Sequence, residues 1–375
     1  VGEGIAEGLS GPARVLPLLL LCLANGGCQT AGYYSQAIRG HCQVVARQQS
    51  IATILNDPKT PEPLKARLQL VLELRAFADS ELKLPAKRHY SRYADLGRRF
   101  VVWNVSATPE FSMESKSWWY PLAGRLEYRG FFEEASARQL AAKLAGEGFD
   151  VDVGGVQAYS TLGWFSDPVL NTFIHDSEID LAELLFHELA HQRLFVAGDT
   201  DFSEAFAECV AEEGTRRWLR ARGSAAARAA YEAKLVRKAE FTRLITSTRT
   251  RLAELFCRVA PEVPPLAPVS MLDPDRAAEM RRRKQDVFET LRRDYEALKS
   301  TWGGATDYEG WFKRPLNNAR LNDVDTYYRL VPSFHALLRS CDGDLEKFFR
   351  EAKALGKLPK LERHRVLDGR GAPKK

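Results

Sequence analysis

Two histidines and a glutamate stand in an otherwise apolar stretch, LLFHELAHQRLF, at residues 184–195. His187, Glu188 and His191 form H-E-x-x-H. On a helix, positions i and i+4 share one face, so two imidazoles there can hold one zinc ion. Glu188 can then reach a water beside it. Histidine is scarce, 7 in 375 residues, and a chance match in such a chain is expected about once in a hundred. Burying these groups among Leu184, Leu185, Phe186 and Leu194 without a metal would also be costly.

A catalytic zinc needs a third protein ligand and an open position. No H-x-x-G-x-x-H continuation follows the motif, so a third histidine of that kind is excluded. The helix expected next carries Glu204, Glu208 and Glu212. A short loop makes the two helices antiparallel neighbours, and counting back from a turn near Gly198 to Thr200 brings residues 204 to 208 level with His191. Glu204 then fits as ligand. Glu208 fits as a carboxylate that accepts a ring N–H from a ligating histidine. The gap of twelve residues between His191 and Glu204 keeps Glu208 open as the ligand instead. Glu212 reads as a solvated side chain or cap partner.

Such a site would polarise a carbonyl and activate water, with Glu188 moving the proton. The developing oxyanion needs a further donor. Tyr327, in TYYRL, is the candidate and Tyr328 the alternative. Tyr159 and Ser160, at the end of the last strand before the motif, could hold a substrate backbone by strand addition. His175 and His335 stand alone and read as exposed or structural.

The elements around the motif follow from periodicity and punctuation. Helical patterns run from Tyr33 to about Leu55 and from about Pro61 through LKARLQLVLELRAFADSEL. The runs RRFVVWNVSATPEF, SWWYPLAGRLEYRGFF and FDVDVGGVQAYSTLGWF read as strands of one small mixed or antiparallel sheet, with the helix EASARQLAAKLAGEG among them. The motif helix is capped by Asp176 or Ser177, the latter with capping-box spacing to Asp180, and runs to about Val196. Gly198 ends it. The next helix begins near Asp201. A long antiparallel helical hairpin follows over about 224–299, with charged outer faces and a Pro-rich reversal. The fold class is therefore α+β, mostly helical, with a small sheet beside the motif helix.

Three of these stretches together resemble one family. YSTLGWFSDPVLNTF, LLFHELAHQRLFVAGDTDFSEAFA and NNARL…TYYRLVPSF look like the predicted aminopeptidase family of Gram-negative bacteria, typically exported lipoproteins with the same zinc helix. The likeness runs from about Gly32 to Ala354, with the motifs in the family's order. It implies a zinc peptidase of the gluzincin kind, with His187, His191 and Glu204 as ligands and Glu188 as base. Ser203 stands where the family usually shows Asn, and a serine there can still cap the helix.

The N-terminus agrees with export. Arg14 precedes an apolar run, Val15 to Ala24, of ten residues, about half of what a membrane span requires. Small residues and Cys28 follow, as at a lipoprotein processing site, although Asn25 stands where an aliphatic residue is preferred. The chain then divides into a leader over 1–28, cleaved before a lipidated Cys28, a peptidase domain over 29–356, and a basic tail over 357–375 expected to be disordered. Gln29 after the cysteine suits the outer membrane, so the expected place is the periplasm, at its inner leaflet. Cys42, Cys209, Cys257 and Cys341 fit no metal spacing and are open to disulfides or buried thiols.

The net charge of +5 is mild and spread out. There is no basic-aromatic stripe, zinc knuckle or Gly-rich phosphate loop, so neither nucleic acid nor nucleotide is an expected partner. The expected partners are a peptide or protein substrate and, through the lipid, a membrane. Aminopeptidase action leads. A periplasmic zinc endopeptidase and a noncatalytic metal-binding envelope lipoprotein are the alternatives, and an intact Glu188 speaks against the last.

Overall fold

The computed structural model describes residues 28–120, 123–159, 166–222, 224–259 and 273–371. The leader expected over 1–27 and the candidate Ser160 lie outside them. Elements are numbered in chain order. Helix α1 (Cys28–Ala46) leads to β1 (Gln49–Ser50), α2 (Ile51–Asn56) and α3 (Glu62–Ser80). The first expected helix is thus broken in two by a short strand. Strands β2 (Arg92–Ala94), β3 (Val102–Pro109), β4 (Trp118–Tyr120), β5 (Gly124–Leu126) and β6 (Tyr128–Phe131) precede α4 (Glu134–Gly146), β7 (Phe149–Val156) and β8 (Val169–Leu170). The rest is helical: α5 (Glu178–Arg193), α6 (Thr200–Arg222), α7 (Ala225–Val259), α8 (Pro274–Ser300), α9 (Glu309–Phe312), α10 (Asn318–Tyr328), α11 (Val331–Ser340), α12 (Leu345–Gly356) and α13 (Lys360–Gly371).

The fold is α+β and mostly helical, as its periodicities predict. The strands do not form one sheet. They form an antiparallel sheet β6-β3-β7, a separate hairpin β4-β5, and a small mixed sheet β1-β2-β8. Pairings between distant segments decide this, and no local pattern records them. In the antiparallel sheet Trp103 faces Phe131 and Gly155 across the strands, and Ser106 faces Tyr128 and Asp152. Alternation sends Val105, Ala107, Phe131, Val151 and Val153 onto Leu140 and Leu144 of α4. The opposite face carries Asn104, Ser106, Tyr128 and Gly130 toward α10 and a large cleft.

Helix α5 starts where the capping chemistry places it: the Ser177 side chain accepts from the Asp180 amide. It ends at Arg193, with Leu194 extended, three residues before the expected end. Leu181, Leu185, Phe186 and Leu189 turn into the main core. That leaves Glu183, His187, Glu188 and His191 on the cleft side. Helix α6 lies against it, with nearly every residue up to Thr215 buried. Gly214 permits the approach, since a Cβ there would meet Leu82 Cδ1 at 2.7 Å and Phe186 Cδ2 at 3.0 Å. Ser203 is not the cap. It lies one turn inside α6, where its hydroxyl accepts from the Val196 amide at 3.1 Å and donates to the Asp199 carbonyl at 3.0 Å.

Helices α7 and α8 form the expected hairpin, packed through Phe241, Ile245, Leu252, Met280, Phe288, Leu291 and Tyr295. The tail departs from expectation. Residues 360–371 are helical, and Arg363 and His364 bind Asp199, in the turn between α5 and α6, at 2.7 and 2.9 Å. A basic composition suggests disorder only where the charges lack buried partners, and here Asp199 supplies one. Among the described residues Cys42, Cys209, Cys257 and Cys341 are free thiols. No described helix is long and apolar enough to cross a membrane.

Candidate metal centre

The antiparallel crossing of α5 and α6 brings three donor atoms together. His187 Nε2 lies 3.1 Å from His191 Nε2 and 3.2 Å from Glu204 Oε2, and His191 Nε2 lies 3.4 Å from the same oxygen. A tetrahedral ion with bonds of about 2.0–2.1 Å spaces its donors about 3.3–3.4 Å apart. The triangle therefore fits such an ion, and its two nitrogens and one oxygen suit zinc. His191 and Glu204 are buried, at 8% and 7% exposed. Burial opposes ionisation of Glu204, but the imidazoles of His191 and His187 pull its pKa down to about 2. The carboxylate is thus held as an anion, which is the form a metal takes.

Glu208 takes the other place open to it. Its Oε2 is 3.2 Å from His187 Nδ1, behind the ring and away from the triangle. Burial works against protonation of His187, yet hydrogen bonds to Glu204 and Glu208 hold its pKa well above the ordinary imidazole value. His191 Nδ1 is buried with no such acceptor. The two imidazoles are therefore supported differently.

The triangle lies in a cleft of about 1170 Å³, walled by α1, α5, α10, the sheet face and the hairpin β4-β5. The hairpin is pinned there by the Gly198 amide, which donates to the Ala123 carbonyl at 3.0 Å. Gly124, at φ +75°, allows the contact, because a Cβ would come within 2.8 Å of Gly198 N. Glu188 lines the cleft, and burial raises its pKa, the imidazoles of His187 and His191 offsetting part of the rise. That suits a group that must hold and release a proton.

Tyr327 and Tyr328 end α10, whose start is tied to the β3 turn. The Asn318 side chain donates to the carbonyls of Pro109, Glu110 and Ser112, and that of Asn322 to Thr108 Oγ1 and the Met113 carbonyl. The two tyrosines split. Tyr327 feels first the charge of Glu204, which with burial raises its hydroxyl pKa well above the usual value. Tyr328 turns to Lys238, whose Nζ is 5.3 Å from its ring centroid. Tyr159 lies beyond the end of β7 rather than on it; its hydroxyl is 2.9 Å from His41 Nδ1, at the rim of the cleft. His175 is exposed.

One expectation changes. Glu212 is neither solvated nor a cap: it is 6% exposed and bonded to Lys238 at 2.9 Å and His335 at 2.5 Å. His335 is accordingly a structural partner. Lys238 itself was missed. Its signal was a lysine inside the apolar stripe Tyr231, Leu235, Phe241, Ile245 of α7, where a charged residue calls for a buried partner.

Fold and site together define a chain with an H-E-x-x-H helix, a carboxylate from the following helix and an open cleft. The family model described as "Putative aminopeptidase" matches residues 32–367, and the chain belongs to that family. The description points to peptidase activity on a peptide or protein substrate. No curated protein and no solved structure matches the chain.

Proposed function

We propose that the protein is a zinc-dependent peptidase, acting as an aminopeptidase, with His187, His191 and Glu204 as the zinc ligands. The observation that carries this is the triangle of donor atoms 3.1–3.4 Å apart with Glu188 beside it in an open cleft. Zinc there would lower the pKa of a bound water and polarise the scissile carbonyl. Glu188 accepts the proton of the attacking water and delivers it to the leaving amine. Tyr327 donates to the oxygen of the attacked carbonyl. Glu208 keeps His187 turned with Nε2 toward the triangle. Helix α1, whose Tyr33, Tyr34 and Ala37 line the cleft, begins at Cys28, the proposed lipid attachment in the periplasm.

One observation favours endopeptidase action as the second reading. Asp180 and Glu183, acidic residues of the cleft wall, are already bonded to Lys234, each at 2.7 Å. They are therefore not available as simple anchors for a substrate α-amine. Metal content of the purified chain, with cleavage of matched free and N-acetylated peptide libraries, separates the readings. One zinc per chain and chelator-sensitive removal of free N-terminal residues is expected. Cleavage of acetylated peptides at internal bonds would transfer the assignment to an endopeptidase, and a chain without zinc would remove both.

A further inference from the structure

Behind the triangle lies a second acidic cluster. Carboxylate oxygens of Glu183, Glu208 and Glu212 lie within 4.8 Å of one another. The space between them is filled by Lys238 Nζ. It is 3.3 Å from Glu183, 2.9 Å from Glu212 and in close contact with Glu208 Oε1. The ring of Tyr328 closes the cage. Lys238 is 9% exposed and comes from α7, the first helix of the long hairpin.

Glu208 is the shared member. One oxygen meets the ammonium, and the other meets His187 Nδ1 at 3.2 Å. A carboxylate held from one side by a fixed cation has little freedom to rotate, so its second oxygen stays aimed at the imidazole. The neighbouring carboxylates alone would push Glu208 away or protonate it.

We propose that Lys238 is a positioning residue of the metal centre: its ammonium is the built-in cation of the Glu183, Glu208 and Glu212 cluster and, through Glu208, orients His187 for metal binding. This rests on the zinc reading above. The hairpin thereby contributes to the site, although none of its residues is in the triangle.

The test is zinc affinity, by competition with a chelating dye, in the full chain. Lys238→Met alone strands three buried carboxylates and can prevent folding. Lys238→Met with Glu212→Gln removes one charge of each sign and is the working variant. Glu212→Gln alone, which keeps the Lys238 to Glu208 contact, is its control. The double variant should bind zinc about 10–100-fold more weakly, the range for losing an outer partner of a ligand. The control should stay within about threefold of the parent. In the zinc-loaded parent the downfield Nδ1–H proton of His187, assigned by its loss in Glu208→Ala, should be sharp, and it should broaden in the double variant. A folded double variant that binds zinc as tightly as the control would overturn the proposal. A parent chain that binds no zinc would instead overturn the zinc reading, and this inference with it.

Discussion

Glu204 and Glu212 lie about two turns apart on one helix and are equally buried, at 7% and 6% exposed. They differ in what compensates the charge. Glu212 faces an ammonium that the chain itself supplies. Glu204 faces two imidazoles whose Nε2 atoms converge on its own oxygen, the arrangement that the proposed zinc would use. The same helix therefore carries a cluster closed by an internal cation and, in the proposed reading, a site for a metal ion. Both acids meet a histidine, Glu212 through His335 at 2.5 Å, and the distinction turns on the lysine that only Glu212 has within ion-pair distance. Asp323 is a third case. It is tied to Ser106 at 2.9 Å, and among the described residues no cation lies within ion-pair distance. Burial and the charge of Asp152 push its pKa up to about 7, so below that pH it is completed by a proton.

The sharpest break in this comparison is Glu204→Ala. It should take zinc content from one ion per chain to almost none, read by elemental analysis, and activity should vanish with it. Retained zinc would mean that Glu208 can serve as ligand after all. Next is Glu188→Gln, which touches neither compensated acid. Zinc should remain at one per chain, while kcat drops by about 10²–10⁴, the usual contribution of a general base. A variant at parental speed would show that Glu188 does not carry the proton.

The smallest effect belongs to Asp323. Its folded pKa lies above the ordinary carboxylate value of about 3.9, so between about pH 4 and pH 7 the folded state holds a proton that the unfolded state has released. Stability therefore falls as pH rises through that window. Asp323→Asn should be more stable than the parent at pH 8 by about 1–3 kcal/mol and no different below pH 4. Urea unfolding at the two pH values measures it, and equal gains at both would mean that packing, not the proton, sets the effect.

Much of this site was legible because it is local. The H-E-x-x-H spacing fixes one helical face, and a short loop at Gly198 fixes the return of Glu204 and Glu208. Ser177 marks the helix start by its own chemistry. What was not legible depends on distant partners. Whether Glu212 is solvated is decided by Lys238 on another helix. Strands β4 and β5 pair with each other, and their turn meets the distant loop at Gly198, a contact that no local pattern records. The NNARLND segment reads as polar, yet Asn318 and Asn322 are buried fasteners for the turn after β3. Lys238 was readable in part, as a charge in an apolar stripe, although its destination was not.

Asp199 sits in the turn that joins the two helices of the triangle, and its nearest partner, Arg363, at 2.7 Å, is 164 residues further along. A chain stopped short of Lys360 would have both histidines and Glu204 but no clamp on the loop between them. Helix α13 thus acts as a remote clasp on the loop that spaces the donor atoms, and a fragment lacking it should bind added zinc more weakly than the parent while keeping its helices.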